Sequence, residues 1–328
     1  MSAAVIVSAG AKLSKLGDRI ADLTGLGGLW IGMVLMAAAT SLPEVLTTVS
    51  AGMFDLPDLA AGDLFGAGMT NMLTLGLIDL VHRQKRIWQH TALDHALSAA
   101  LAMFLTGLAA FLILMGRDVE HGGIGLGSLL LLLFYVFGMR VIFRQEAMRR
   151  LQREKEKVAE ADEETESKAP SRRVELRRVL WKFGLASLAL LVAAPFLAHS
   201  AGDIARQSGV STTFVGTSLV AITTSLPELV TSLTAVRLGA FDLAVGNLFG
   251  SNAFNMAAFF FVDVAYRNGP LLNAVGDAHA MTGLWSILLM STALMGIMYR
   301  VEQRYMLIEP DSFVIIVGYC LGLWFLFQ

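Results

Sequence analysis

A chain of 328 residues in which 55% are hydrophobic and only 16% charged is too apolar for an ordinary soluble domain. Its mean hydropathy is +0.62, and several apolar runs approach the roughly 20 residues that span a bilayer, so the chain reads as a polytopic membrane protein with lipid as its surroundings and no nucleic-acid partner. The formal net charge of -2 conceals segregation, since residues 140 to 182 hold about half of the Lys and Arg, and the single cysteine, Cys320, excludes an intrachain disulfide and any thiolate metal site.

Five apolar segments precede the charged stretch, at 3 to 22, 28 to 51, 58 to 80, 91 to 115 and 123 to 146. Five follow it, at 179 to 205, 211 to 236, 240 to 264, 276 to 299 and 311 to 327. Lys12, Lys15 and Arg19 leave the first segment short and amphipathic, although lysines near a helix end reach the headgroups. No basic leader followed by a short apolar core and a cleavage site opens the sequence, so the first helix is expected to persist in the mature protein. Residues 147 to 178 form a charged linker, read as a helix followed by a flexible stretch, between halves at 1 to 146 and 179 to 328. The acidic run Glu160, Asp162, Glu163, Glu164 and Glu166 lacks the spacing and the glycine of an EF-hand loop.

Arg140, Arg144, Arg149 and Arg150 on one side of the linker, with Arg172, Arg173, Arg177, Arg178 and Lys182 on the other, place the linker in the cytoplasm. Counting helices from there puts 82 to 86 and the loop with Arg300 and Arg304 inside, and 52 to 57 and 116 to 122 outside. Both termini fall outside.

The two halves are copies. A single shift of 184 positions lays Thr40 to Glu44 (TSLPE) on Thr224 to Glu228 (TSLPE), and Gly62 to Asn71 (GDLFGAGMTN) on Gly246 to Asn255 (GNLFGSNAFN). Five helices per copy is an odd number, so the second copy enters the membrane from the opposite side. The expected fold is therefore all-α, with ten transmembrane helices arranged as two inverted five-helix repeats, the construction of many secondary transporters. Antiparallel copies bring Glu44 and Glu228 to one depth.

The repeated motif carries the chemistry. Pro43 and Pro227 remove a backbone donor and crowd the carbonyls of Ala39 and Thr223, so each helix is expected to kink or unwind there. In lipid, a carbonyl freed in this way needs a partner. Around the break stand the hydroxyls of Thr40, Ser41, Thr224 and Ser225 and the carboxylates of Glu44 and Glu228, hard oxygen donors suited to Ca2+ or Na+. Prolines that only bend helices, with protonated or hydrogen-bonded glutamates between them, are the bland reading; two intramembrane carboxylates at equivalent depths favour a functional one. Gly62 and Gly246 read as helix-packing positions. Asn71, Ser251 and Asn255 are buried polar groups in need of partners, with Ser251 and Asn255 on one helix face. Asp63 shares a face with Ala67 and Asn71, stands where the other copy has Asn247, and is an auxiliary candidate. His95 and His279 match under the shift, as do Asp79 and Asp263, and all four read as helix-end groups.

Two TSLPE copies, each followed by a segment like GN-x-x-GSN-x-x-N, resemble the alpha-repeats of the sodium/calcium exchanger family, prokaryotic type, within the calcium/cation antiporter superfamily. The resemblance covers nearly the whole chain. It implies a midplane ion cluster, with the first and sixth helices sliding over the core to give alternating access. Carried over residue by residue, it implies cation ligands at Thr40, Ser41, Glu44, Thr224, Ser225 and Glu228, the carbonyls of Ala37 and Ala221, and the side chains of Asn71, Ser251 and Asn255. This sequence departs from the pattern in three places. Ala67 stands where the family commonly has a serine ligand, Gly68 where it has asparagine, and Asn255 where well-studied sodium-driven members have aspartate.

The expected function is exchange of Ca2+ for Na+ across the plasma membrane, with inorganic cations as cargo and no cofactor. Ca2+/H+ exchange on the same scaffold is the alternative. An intramembrane hydrolase lacks a nucleophile or zinc motif beside its carboxylates, and a non-transporting cation sensor is the remaining reading.

Overall fold

A computed structural model describes residues 2–81, 94–160, 169–207, 221–299 and 310–326. Helices make up nearly all of it. In chain order they are α1 (Ser2–Thr24), α2 (Gly28–Met53), α3 (Pro57–Val81), α4 (Asp94–Met115), α5 (Leu126–Glu160), α6 (Ala169–Gln207), α7 (Ala221–Thr224), α8 (Leu226–Leu238), α9 (Phe241–Ala265), α10 (Leu271–Ala274), α11 (Asp277–Tyr299) and α12 (Pro310–Leu326). Among the described residues five helices are long and apolar enough to cross a membrane: Gly28–Met53, His95–Met115, Leu126–Met148, Phe241–Ala265 and Asp277–Met298. α12 is apolar but short, and Lys12, Lys15 and Arg19 keep α1 charged. Of the expected segment 211 to 236, residues up to 220 lie outside the described ones.

One small departure from an all-α chain lies between α4 and α5. Glu120–His121 (β1) and Ile124–Gly125 (β2) form an antiparallel hairpin. Its two turn residues, Gly122 at φ 64° and Gly123 at φ 86°, adopt the left-handed conformation that a tight two-residue hairpin demands and that glycine supplies without strain. Beyond the apolar span, α5 runs on to Glu160 and α6 begins at Ala169, so 147–160 and 169–178 continue the flanking helices; residues 161–168 lie outside the described ones.

α9 is the hub: it packs against α2, α3, α4, α5 and α8, and most of its residues are buried. It meets α2 backbone to backbone. A Cβ on Gly250 would lie 2.6 Å from Met33 Cα, and one on Gly246 would lie 2.7 Å from the Leu29 carbonyl, so only glycine permits this approach. α1 lies along α6 and α8, with the Ser14 hydroxyl donating to the Thr231 carbonyl at 2.6 Å. The outer surface is apolar: Phe104, Phe111, Phe137, Leu188, Leu288 and Phe313 are all exposed, as expected where lipid tails replace water.

Candidate functional site

The helix carrying Pro43 does not stop at the proline, which lies inside a continuous α-helical stretch, Ala37–Met53. The irregularity falls about two to three turns earlier, as a π-helical segment over Ile31–Met36. π-turns of this kind admit an extra residue and recur at functional sites. In the second copy the chain breaks where Pro227 predicts: Ser225 is a turn between α7 and α8, with Pro227 in the first turn of α8, where its missing N–H would have no helical partner in any case.

Both breaks face the buried centre. Thr40, Ser41, Glu44, Asn71, Thr224, Ser225, Glu228, Ser251 and Asn255 are all at most 1% exposed, as are Ala37 and Ala221. The polar groups are crossed between the two copies. Ser41 donates to Glu228 Oε1 at 3.0 Å, and Ser225 donates to Glu44 Oε1 at 3.2 Å. Thr40 donates to the Met36 carbonyl at 3.0 Å and lies 3.3 Å from Asn247 Oδ1, and Thr224 donates to Asp63 Oδ1 at 3.0 Å. Ser251 adds a longer contact to Glu228 Oε1 at 3.4 Å. Each carboxylate is thus oriented by a hydroxyl from the other copy. The Thr40 and Thr224 hydroxyls also lie against the carbonyls of Ala37 (3.4 Å) and Ala221 (3.2 Å), so those carbonyls border the same space.

A third crossed pair is broken. Asn71 Nδ2 donates to Asn252 Oδ1 at 2.8 Å, but the equivalent contact under the 184-residue shift would join Asn255 to Gly68. Gly68 has no side chain to offer, and both amide atoms of Asn255 are buried without a hydrogen-bond partner. Asn71 Oδ1, Glu44 Oε2, Glu228 Oε2, Asp63 Oδ2 and Ser286 Oγ are likewise buried and unpartnered. Seven buried polar atoms without a protein partner are more than a folded core ordinarily leaves, and most are oxygens with lone pairs to give. Among the described residues no three Asp, Glu, His or Cys side chains stand close enough together to hold a metal ion. A cation at the centre would therefore draw on Glu44, Glu228 and neutral hydroxyl, amide and carbonyl oxygens, the hard donor set of Ca2+ or Na+.

Three residues here carried no role in the sequence reading: Asn252, Asn247 and Ser286. Asn247 is fully used, its Nδ2 donating to Thr231 Oγ1 and Ser232 Oγ, both at 3.1 Å. Asn252 was hidden because its counterpart is glycine, so the repeat gave no second copy to reveal it. Ser286 lies on α11, outside both motifs.

The helix-end groups pair across the copies as well. His95 Nε2 stands 2.9 Å from Asp242 Oδ1, and His279 Nε2 stands 3.4 Å from Asp58 Oδ1. Asp263 accepts from the N–H groups of Gly125 and Leu271 and from Ser128 Oγ, fastening the hairpin to the start of α10. Asp79 accepts from Ser312 Oγ at 2.8 Å.

Comparison with known proteins gives a consistent picture. The family model described as sodium/calcium exchanger protein matches residues 1–143 and 178–328. Inner membrane protein YrbG of Escherichia coli is 27% identical over 241 residues, covering 71% of this chain and 67% of that protein. Sodium/calcium exchanger MaX1 of Methanosarcina acetivorans is 26% identical over 265 residues, covering 74% of each. Among solved structures, the sodium-calcium exchanger NCX_Mj soaked with 10 mM Na+ and zero Ca2+ superposes with a TM-score of 0.68 at 20% identity, over 98% of this chain and 95% of that one. At that identity the likeness speaks for the fold.

Proposed function

Since this chain belongs to the sodium/calcium exchanger protein family, we propose that it is a secondary antiporter that exchanges Ca2+ for Na+ across the plasma membrane. Transport rather than catalysis is its role. The observation that carries the reading is the crossed pair of buried glutamates, each with one oxygen held by a serine of the other copy and one oxygen without a partner. Those free oxygens, with the surrounding hydroxyls and the carbonyls of Ala37 and Ala221, offer the oxygen-only environment that a dehydrated Ca2+ requires. Ten helices in two inverted repeats, with both termini outside and the linker in the cytoplasm, form the scaffold of this proposal. Movement of α1 and α6 over the core would open the centre to either side in turn.

Coupling to protons is the second reading. It is favoured by Asn255, whose neutral amide stands where sodium-driven relatives carry a third central charge. The test is uptake of radiolabelled Ca2+ into proteoliposomes under a Na+ gradient and then under a pH gradient, each beside Glu44→Gln and Glu228→Gln. Uptake driven by Na+ and abolished by both substitutions supports the first reading. Uptake that follows only the pH gradient replaces it with the second, and no flux under either gradient, with Ca2+ binding retained, replaces both with a sensor.

A further inference from the structure

α1 and α6 lie antiparallel, for Arg19 near the end of α1 is bonded to Glu175 near the start of α6, its Nε donating at 3.0 Å. Beyond that pair a groove of about 530 Å³ runs between the two helices. One end of it is basic, lined by Lys12 and Lys15 of α1 and Lys182 of α6, all three exposed. Arg19 is matched by Glu175 and Asp22, but among the described residues no carboxylate pairs with any of the three lysines. Asp18, one turn from Lys15, lines a different cavity, between α1 and the turn that joins α8 to α9. The other end of the groove is apolar, with Val5 and Ala9 on α1 and Leu185 and Ala189 on α6. Ser8 turns its hydroxyl back to the Val5 carbonyl at 3.0 Å, which leaves the lysines to receive an anion. The stretch from Lys15 back to Val5 covers about 15 Å of helix, half of the ~30 Å hydrocarbon core and so the depth of one leaflet.

We propose that this groove is a binding site for one anionic phospholipid, with its phosphate among Lys12, Lys15 and Lys182 and an acyl chain along Val5, Ala9, Leu185 and Ala189. Three ammonium groups in one groove repel one another, and each is costly where lipid replaces water. A lipid phosphate answers both, since lysine carries three donors and no acceptor, and the flexible stems let the charges rise to meet it. Basic pockets between membrane helices bind anionic headgroups for these reasons. A free phosphate ion would satisfy the lysines and leave the apolar half empty, so length and polarity together select a lipid. With the linker in the cytoplasm, as proposed above, the basic end belongs to the inner leaflet. Because the lysines come from both helices, the lipid ties α1 to α6 and the pair moves over the core as one body. That last step rests on the exchange reading; the binding does not.

The experiment is native mass spectrometry of the purified full chain in detergent, titrated with phosphatidylglycerol and with phosphatidylcholine of the same acyl chains. The first phosphatidylglycerol is expected to bind at least about tenfold more tightly than phosphatidylcholine. Replacing the three exposed lysines together, Lys12→Gln, Lys15→Gln and Lys182→Gln, should weaken it by about a hundredfold and leave phosphatidylcholine unchanged. Arg173→Gln with Arg177→Gln, on α6 but outside the groove, should leave the first phosphatidylglycerol within about threefold. Equal affinity of the wild type for the two lipids overturns the proposal without any variant. An equal loss in the arginine control also overturns it, as diffuse attraction to a basic surface. Thermal stabilisation by inorganic phosphate that matches that by phosphatidylglycerol overturns it in favour of a free anion, and a dimer lost in the lysine variant overturns it in favour of a second copy. No ion flux is read, so these outcomes stand apart from the success or failure of the exchange reading.

Discussion

Asn252 and Asn255 lie three residues apart on α9, carry the same side chain and are equally buried, yet they are expected to respond in opposite ways to truncation. Asn252→Ala removes the acceptor for Asn71 Nδ2, which is bound at 2.8 Å. A buried amide left without its partner costs about 1–3 kcal/mol, and at ~2.1 cal/mol/K per residue each kcal/mol moves the midpoint of a chain this long by about 1.5 °C. The thermal midpoint in Ca2+-free detergent should therefore drop by a few degrees. Asn255→Ala removes an amide with no partner to lose. Relief of its desolvation offsets the small cavity left behind, and the net change should stay within about 1 kcal/mol. The functional order is reversed: Ca2+ uptake should fall far more for Asn255→Ala than the stability change explains. The assay is a melting curve beside proteoliposome uptake for both variants. Equal destabilisation by the two, or an Asn255→Ala protein that transports normally, would refute the division between a structural and a ligating amide.

Loss of Ca2+ exchange in both Glu44→Gln and Glu228→Gln, measured by isotope uptake, should be of similar size because the two carboxylates have matching hydroxyl partners. Gly250→Ala places a methyl 2.6 Å from Met33 Cα and should destabilise by about 1–3 kcal/mol through overpacking. Gly184→Ala, with nothing within 4 Å of the new carbon, should stabilise α6 by about 0.5–1 kcal/mol, and melting curves distinguish the two. Asp118, in the loop before the hairpin, has its carboxyl raised above the ordinary 3.8, chiefly by burial and also by the charge of Asp263, against hydrogen bonds from Gly127 and Val119 that pull the other way. The native state holds this proton more tightly than the unfolded chain does. Its contribution is complete below the unfolded value and is lost as pH rises through the folded one. Asp118→Asn, which keeps an acceptor for the Gly127 N–H, should flatten that decline in a series of melting curves across acidic pH.

The repeat made the centre legible. Identical TSLPE copies marked Glu44, Glu228 and their hydroxyls because carboxylates and prolines in apolar segments have few structural uses. What periodicity along one helix does not encode is which copy each hydroxyl serves: Ser41 turns to Glu228 and not to the glutamate three residues along its own helix. Pro43 marked an irregular helix but misplaced the irregularity. The π segment upstream takes up the altered register, so the proline sits in an unbroken stretch. Asn252 went unread because its position in the other copy holds Gly68, which has no side chain to mark the place as polar. The face shared by Asp63, Ala67 and Asn71 pointed correctly to the interior, yet the partner of Asp63 was decided by α7, which belongs to the other copy. The hairpin at 120–125 is too short to leave an alternating pattern.

The crossing of Ser41 with Glu228 and of Ser225 with Glu44 constrains how the centre opens. Each helix contributes a charge to one bond and a proton to the other, so sliding one helix past its counterpart leaves neither bond intact. The two contacts act as a single latch with two bolts thrown from opposite sides. A displacement of one helix along the other stretches both bonds together, so the hold on one carboxylate is not given up without loosening the hold on the other.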